Sequence, residues 1–294
     1  MKAKDIRIRD PFILPVPSTR TYYLYGTTDP DPWIGRGQGF DVYTSDNLED
    51  WEGPVQAFTP PADFWATKHF WAPEVHLWRG AYYMLASFCA EGCHRGVQIL
   101  RSSFPQGPFT PVTRFPVTPP LWDCLDGTLF IDDEGSPWLV FSHEWTQAHD
   151  GEVCAMRLGD TLEHAISAPS TLFRASESGW SIACTGEEFS APGDNYVTDG
   201  PFLFRTAAGT LLCVWSSFSQ GGYSMGLALS ASGQIEGPWR HHPEPLFRRN
   251  GGHGMLFSTF ANEMLLALHQ PNESPLERLT LLPVVEEQGL LRIL

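Results

Sequence analysis

Asp10-Pro11-Phe12-Ile13-Leu14, followed across a short turn by Thr21-Tyr22-Tyr23-Leu24-Tyr25, opens a phrase that the chain states five times. The second statement is Ala72-Pro73-Glu74-Val75-His76-Leu77-Trp78 with Ala81-Tyr82-Tyr83-Met84-Leu85, and the third is Asp126-Gly127-Thr128-Leu129-Phe130-Ile131 with Pro137-Trp138-Leu139-Val140-Phe141. The fourth is Asp199-Gly200-Pro201-Phe202-Leu203-Phe204 with Thr210-Leu211-Leu212-Cys213-Val214-Trp215. The fifth is His253-Gly254-Met255-Leu256-Phe257 with Glu263-Met264-Leu265-Leu266-Ala267-Leu268. Each opens on a polar residue or Pro/Gly, runs through an apolar strand, turns, and returns through a second strand.

A third strand follows each pair, over residues 39–44, 96–101, 152–157, 223–229 and 279–285. Closing phrases recur as well, in Trp51-Glu52-Gly53-Pro54, Gln106-Gly107-Pro108-Phe109 and Glu236-Gly237-Pro238-Trp239. A unit of about 45 to 75 residues is the size of a four-stranded propeller blade with its loops. A β-sandwich would give short strands without repeating one opening, and no apolar pattern of period 3.6 interrupts the series. The expectation is an all-β chain folded as a single five-bladed β-propeller over 1–294, with blades at approximately 10–60, 71–118, 122–175, 197–248 and 252–294. The longest insertion, 176–196, should cross one face.

Composition agrees. Of 294 residues 42% are hydrophobic and 13% aromatic, with 27 Gly and 25 Pro, which suits many strands and tight turns. The net charge of −15, from 19 basic and 34 acidic residues, disfavours nucleic acid and anionic membranes as partners. Met1 is followed by Lys2, Lys4, Asp5, Arg7 and Arg9 with no apolar run, and the six cysteines lie scattered. Together these suggest free thiols and a cytoplasmic location. Cys89, Cys93 and His94 form a C-x3-C-H group, one ligand short of a closed zinc site.

In a propeller the first strand of each blade lines the axis, so the five openings converge. The side chains assigned to that register are Asp10, Glu74, Asp126, Asp199 and His253. A single Asp before Gly or Pro is an ordinary turn residue. Carboxylates in the same register of several blades are costly to desolvate together and suit either a hard cation or glycosidic hydrolysis. Phe40, Trp71 and Trp122, near the openings, offer faces on which a sugar ring can stack.

With these phrases the chain resembles glycoside hydrolase family 43, the inverting β-xylosidases, α-L-arabinofuranosidases and arabinanases. The carriers are Arg9-Asp10-Pro11-Phe12, Phe70-Trp71-Ala72-Pro73-Glu74-Val75, Leu125-Asp126-Gly127-Thr128 and Thr198-Asp199-Gly200-Pro201, with a trailing Leu276-Glu277-Arg278-Leu279-Thr280. The resemblance implies that Asp10 is the general base and Asp126 the group that modulates the acid. The family's acid is a Glu before Gly-Pro, where this chain has Asp199, so Glu144, Glu187 and Glu188 stand as alternatives. It further implies a calcium or other cation, or a water cluster, on the axis beside His253, and contact of Arg278 with sugar hydroxyls or an acidic group.

The expected partner is thus an oligosaccharide, from whose end a pentose is released; a pocket closed by the Trp33 and 176–196 loops favours exo action. Fructan-processing propellers carry a Trp-Met-Asn-Asp-Pro-Asn-Gly segment absent here, and a phosphorylase needs clustered cations that this chain lacks. A non-catalytic sugar-binding propeller, its acid lost at Asp199, is the alternative outside enzymes. Arabinofuranose and xylose are not distinguished by the motifs, and oligomeric state has no signature.

Overall fold

The computed structural model describes residues 1–184 and 193–294. Its strands form five four-stranded antiparallel sheets, each built in chain order from the axis outward, and the chain is a five-bladed β-propeller. Blade one comprises β1 (Arg9–Val16), β2 (Thr21–Thr27), β3 (Phe40–Ser45) and β4 (Glu52–Phe58), and blade two β5 (Lys68–Trp78), β6 (Ala81–Cys89), β7 (Gly96–Ser102) and β8 (Thr110–Pro111). Blade three is β9 (Cys124–Ile131), β10 (Pro137–His143), β11 (Glu152–Arg157) and β12 (Ser170–Arg174). Blade four is β13 (Asp199–Arg205), β14 (Leu211–Ser219), β15 (Gly222–Ser230) and β16 (Trp239–His241). Blade five is β17 (Gly252–Ser258), β18 (Met264–Gln270), β19 (Arg278–Glu287) and β20 (Leu290–Ile293). A single helical turn, α1 (Trp145–Ala148), follows β10.

The wedges between blades are filled by the apolar strand faces. Phe40, Phe58, Phe70 and Phe88 meet edge and tilt between blades one and two, with centroids 4.9–6.3 Å apart. This corrects the reading of Phe40 as a sugar platform: it is fully buried in that wedge. Trp180 and Trp215 pack 4.9 Å apart between blades three and four.

The ring closes through the N-terminal segment. Arg7 bridges Arg278, the Ile8 N–H donates to Glu277 O at 3.3 Å, and Arg9 Nη1 lies 2.9 Å from Glu277 Oε1. Glu277 is wholly buried, so its pairing with Arg9 and Arg7 welds blade one to blade five. Arg278 is spent on the same seam: Nε donates to Lys4 O at 2.9 Å and Nη1 to Pro275 O at 3.1 Å. It does not line the central pocket, contrary to the sequence expectation, because its guanidinium caps the backbone of the closure.

All six cysteines are free, and five of them are buried strand or loop residues, so they record core packing rather than redox environment. His94 Nδ1 pairs with Asp123 Oδ2 at 3.2 Å, and no cluster able to hold a metal forms there among the described residues.

Candidate active site

The axial strands share one irregularity. In β1, β5, β9, β13 and β17 the pairing with the next strand shifts at the same point, and one residue there adopts a positive φ: Asp10 (51°), Ala72 (46°), Asp126 (55°), Gly200 (50°) and His253 (47°). Such a bulge turns the N–H out of its own ladder. In every blade it finds a side chain of the preceding blade, and in four of them that side chain comes from the second strand. Ala72 N donates to Thr27 Oγ1 at 2.9 Å, Asp126 N to Ser87 Oγ at 2.9 Å, His253 N to Ser216 Oγ at 2.8 Å, and Asp10 N to His269 Nδ1 at 3.2 Å. The fifth differs, since Gly200 N donates to Asp126 Oδ2 at 3.0 Å, leaving the buried Ser142 Oγ without a partner among the described residues. The blades are therefore stitched at the depth where the carboxylates sit.

This ring corrects the register drawn from sequence. Its members are Asp10, Ala72, Asp126, Gly200 and His253, not Glu74 or Asp199. Glu74 lies two residues farther along β5, where its Oε2 is held by His76 Nε2 at 3.0 Å, and it does not line the pocket. Asp199 lies one residue earlier than the ring, paired with Ser216 as Arg9 is with Thr27. Every ring residue directly precedes a Pro or Gly (Pro11, Pro73, Gly127, Pro201 and Gly254), whereas Glu74 follows Pro73 and Asp199 precedes the Gly200 that takes the ring position. Gly200 is required where it stands: besides the positive φ, a Cβ would come 2.7 Å from His253 Cδ2.

The buried Asp10 and Asp126 and the half-buried Asp199 share one pocket, and their environments drive them apart. Burial resists ionisation of Asp10, but His253 and Arg9 beside it, with a 2.7 Å hydrogen bond from Thr27 Oγ1, hold its pKa down at about 2. Burial and the Asp10 charge push Asp126 well above the carboxylate range. Burial and the neighbouring Asp126 raise Asp199 to about 7, against the hydrogen bond that Tyr223 OH donates to its Oδ2 at 2.9 Å. Like charges this close cannot all form, so Asp10 is the carboxylate, Asp126 keeps its proton, and Asp199 holds its own up to about pH 7.

His253 Nδ1 lies 3.2 Å from Asp10 Oδ1 and 3.6 Å from Asp126 Oδ2. No three His, Cys, Asp or Glu side chains among the described residues surround a point able to hold a metal ion, and a calcium site wants six or more oxygens. His269 is neutral: burial and Arg9 lower its pKa to about 3, its Nδ1 accepts the Asp10 N–H, and its Nε2 faces Asn272 Oδ1 at 3.1 Å.

Above the ring opens a cavity of about 340 Å³ walled by all five blades. Trp71 forms one side, as expected; its Nε1 donates to Pro32 O at 2.6 Å, and Trp33 meets it edge-on at 5.2 Å. Arg95 lies 4.3 Å over the Trp71 ring, pairs with Glu144 and approaches His69 Nδ1 at 3.0 Å. Trp122 does not enter this pocket. It stacks on His143 at 4.3 Å and helps hold the loop leading to α1. Sequence reasoning missed Arg9, Thr27, Tyr223, His269 and Asn272; for Thr27 and His269 the available signal was one small polar residue or His near the end of the second strand of each repeat (Thr27, Ser87, Ser142, Ser216, His269). Glu187 and Glu188 lie outside the described residues.

A sequence model described as glycosyl hydrolases family 43 matches residues 4–287. Among solved structures the chain is similar to an endo-arabinase from Bacteroides thetaiotaomicron, at 38% identity and a TM-score of 0.91, with 98% of each chain covered. It is also similar in fold to a thermostable family-43 glycoside hydrolase, at 24% identity and a TM-score of 0.82, covering 97% of this chain and 92% of that one. Among curated proteins it is 27% identical to the extracellular exo-α-(1→5)-L-arabinofuranosidase ArbA of Cellvibrio japonicus over 180 residues, 54% of this chain and 46% of that protein. It is 33% identical to the xylosidase/arabinosidase 43A of Humicola insolens over 82 residues, 28% of this chain and 24% of that one. The matched segments thus span less than half the length of these two curated relatives. The extracellular relative overturns the cytoplasmic location expected from sequence, which leaned on the polar N-terminal residues and on cysteines that the fold buries for packing.

Proposed function

The chain belongs to glycosyl hydrolase family 43, and on that footing we propose that it releases terminal α-L-arabinofuranosyl residues from arabinan-type oligosaccharides with inversion. The observation that carries this reading is the opposed protonation of Asp10 and Asp199 in one pocket. Asp10, ionised, takes a proton from the water that attacks the anomeric carbon. Asp199, protonated, gives its proton to the glycosidic oxygen as the C–O bond breaks. After one turnover Asp10 holds the proton and Asp199 the charge, and exchange with solvent resets both. Asp126 sits beside them, and the two carboxyls are coupled, so that ionising one disfavours ionising the other.

The substrate class rests on the two arabinan-directed relatives, and the exo mode on a cavity enclosed by all five blades. Trp71 and Trp33 supply the apolar wall for a sugar face. The extracellular relative supports action on cell-wall sugars outside the cell. Endo action is the second reading, favoured by the 38% identity to an endo-arabinase. Digestion of linear arabinan separates them: arabinose as the sole early product supports exo release, whereas early oligosaccharides support internal cleavage. Paired aryl arabinofuranoside and xyloside substrates test the sugar, and xyloside preference would overturn the arabinan reading.

A further inference from the structure

Asp199 reaches one carbon less far than a glutamate, so its carboxyl has little freedom to find the leaving oxygen. Tyr223, on β15, is nearly wholly buried and donates its hydroxyl to Asp199 Oδ2 at 2.9 Å. Its ring stacks on His269 at 5.7 Å and 17°, and His269 Nδ1 accepts the Asp10 N–H at 3.2 Å. Gly252 leaves room for that ring, since a Cβ there would meet Tyr223 Cε1 at 2.7 Å. One side chain therefore touches the acid with its hydroxyl and, through a stacked histidine, the backbone of the base.

We propose that Tyr223 is the positioning residue of the general acid: its hydroxyl occupies Asp199 Oδ2, fixing the transferable proton on Oδ1 and setting the span between Asp199 and Asp10. This rests on the assignment of Asp199 as the acid. A carbonyl-type oxygen that already accepts a hydrogen bond is the poorer site for the proton, so the other oxygen carries it. The same bond steadies the Asp199 carboxylate, while Asp126 and Asp10 oppose it and His253 favours it; Arg9 faces the Tyr223 hydroxyl.

Tyr223→Phe removes the hydroxyl and keeps the ring on His269. With arabino-oligosaccharides kcat should fall about tenfold or more, the effect of one hydrogen bond to an ionisable group. With an aryl arabinoside whose leaving group needs no proton, the fall should stay under about twofold. The alkaline limb of the pH profile should move to higher pH, because the Asp199 carboxylate loses a donor. Equal losses on both substrates, or an unmoved alkaline limb, would reduce Tyr223 to a packing residue and overturn the proposal. Asp199→Asn run beside it distinguishes the failures: if that variant shows no dependence on the leaving group, the acid assignment is what fails.

Discussion

Thr27 Oγ1 donates to Asp10 Oδ2 at 2.7 Å and accepts the Ala72 N–H at 2.9 Å, so one buried hydroxyl ties the axial carboxylate of blade one to the bulge of blade two. Thr27→Val keeps the shape and removes both bonds. The Ala72 N–H is then buried unpaired, which should cost about 1–3 kcal/mol. Asp10 loses a bond that favours its ionised form, so its pKa rises and the acid limb of activity moves to higher pH. Thr27→Ser should restore both properties. Urea unfolding and a pH–rate profile measure them together.

Asp10→Asn should abolish turnover with the fold intact. A general base contributes about a hundredfold or more to kcat, and its loss leaves ground-state binding nearly untouched. Retention of more than about a tenth of kcat, against that expectation, would remove Asp10 from the base role.

The fold was legible in the sequence because a propeller repeats its own text: the openings at Asp10, Ala72, Asp126, Asp199 and His253 mark five blades, and the sheets follow them. The site was legible only where the chemistry coincided with the repeat, as at Asp10 and Asp126. In blades two and four the ring falls on Ala72 and Gly200, which carry no ionisable group, so a register counted on acidic residues lands on Glu74 and Asp199 instead. Aromatics misled for another reason. Phe40 and Trp71 look alike in a strand pattern, and only the angle between blades decides that one fills a wedge and the other faces the cavity. Tyr223 comes from the third strand of blade four and His269 from the second strand of blade five, and their contact with the axis depends on blade curvature that no local pattern encodes.

Gly200→Ala should damage the site more than an ordinary glycine replacement in a strand. The backbone sits at φ 50°, and the new Cβ would press on the His253 ring that neighbours Asp10 and Asp126. A loss of about 1–3 kcal/mol is expected from the strained backbone alone. Activity should fall beyond what the unfolded fraction explains. Thermal melting with kcat measured well below Tm tests this.

The pH profile should fall on the alkaline side near the Asp199 value of about 7, since a deprotonated acid cannot protonate the leaving oxygen, while Asp10 stays ionised down to about 2. Stability carries the matching signature. Asp199 has a folded pKa raised above its unfolded value, so it binds its proton more tightly in the fold. Its burial costs nothing below the unfolded pKa, and it destabilises the fold progressively as pH rises through about 7. Asp199→Asn should therefore melt about 2–5 °C higher than the parent at pH 8 while losing activity. Equal melting temperatures at pH 8 would argue against a protonated Asp199.

Substitution separates Asp199 from Glu144 as the acid, and the anomer of the product fixes the stereochemistry. Glu144 also lines the cavity, but its Oε2 is committed to Arg95, which in turn covers the Trp71 face and approaches His69. Glu144→Gln leaves that buried guanidinium without its partner, so stability and substrate affinity should both drop. The loss of rate should be similar for natural and activated substrates, because no proton donor has been removed. Asp199→Asn should instead cripple cleavage of arabino-oligosaccharides, by about a hundredfold or more, and spare an activated aryl arabinoside. The product distinguishes mechanism as well as residue. A base on one side of the anomeric carbon and an acid on the other deliver water opposite the leaving group, so proton NMR of the first-formed sugar should show the inverted anomer. Retention of configuration would make one carboxylate a nucleophile and would end the assignment of Asp10 as a base. Should the selective loss on poor leaving groups follow Glu144→Gln instead of Asp199→Asn, the acid is Glu144, and Tyr223 then holds a carboxyl group that only tunes the site.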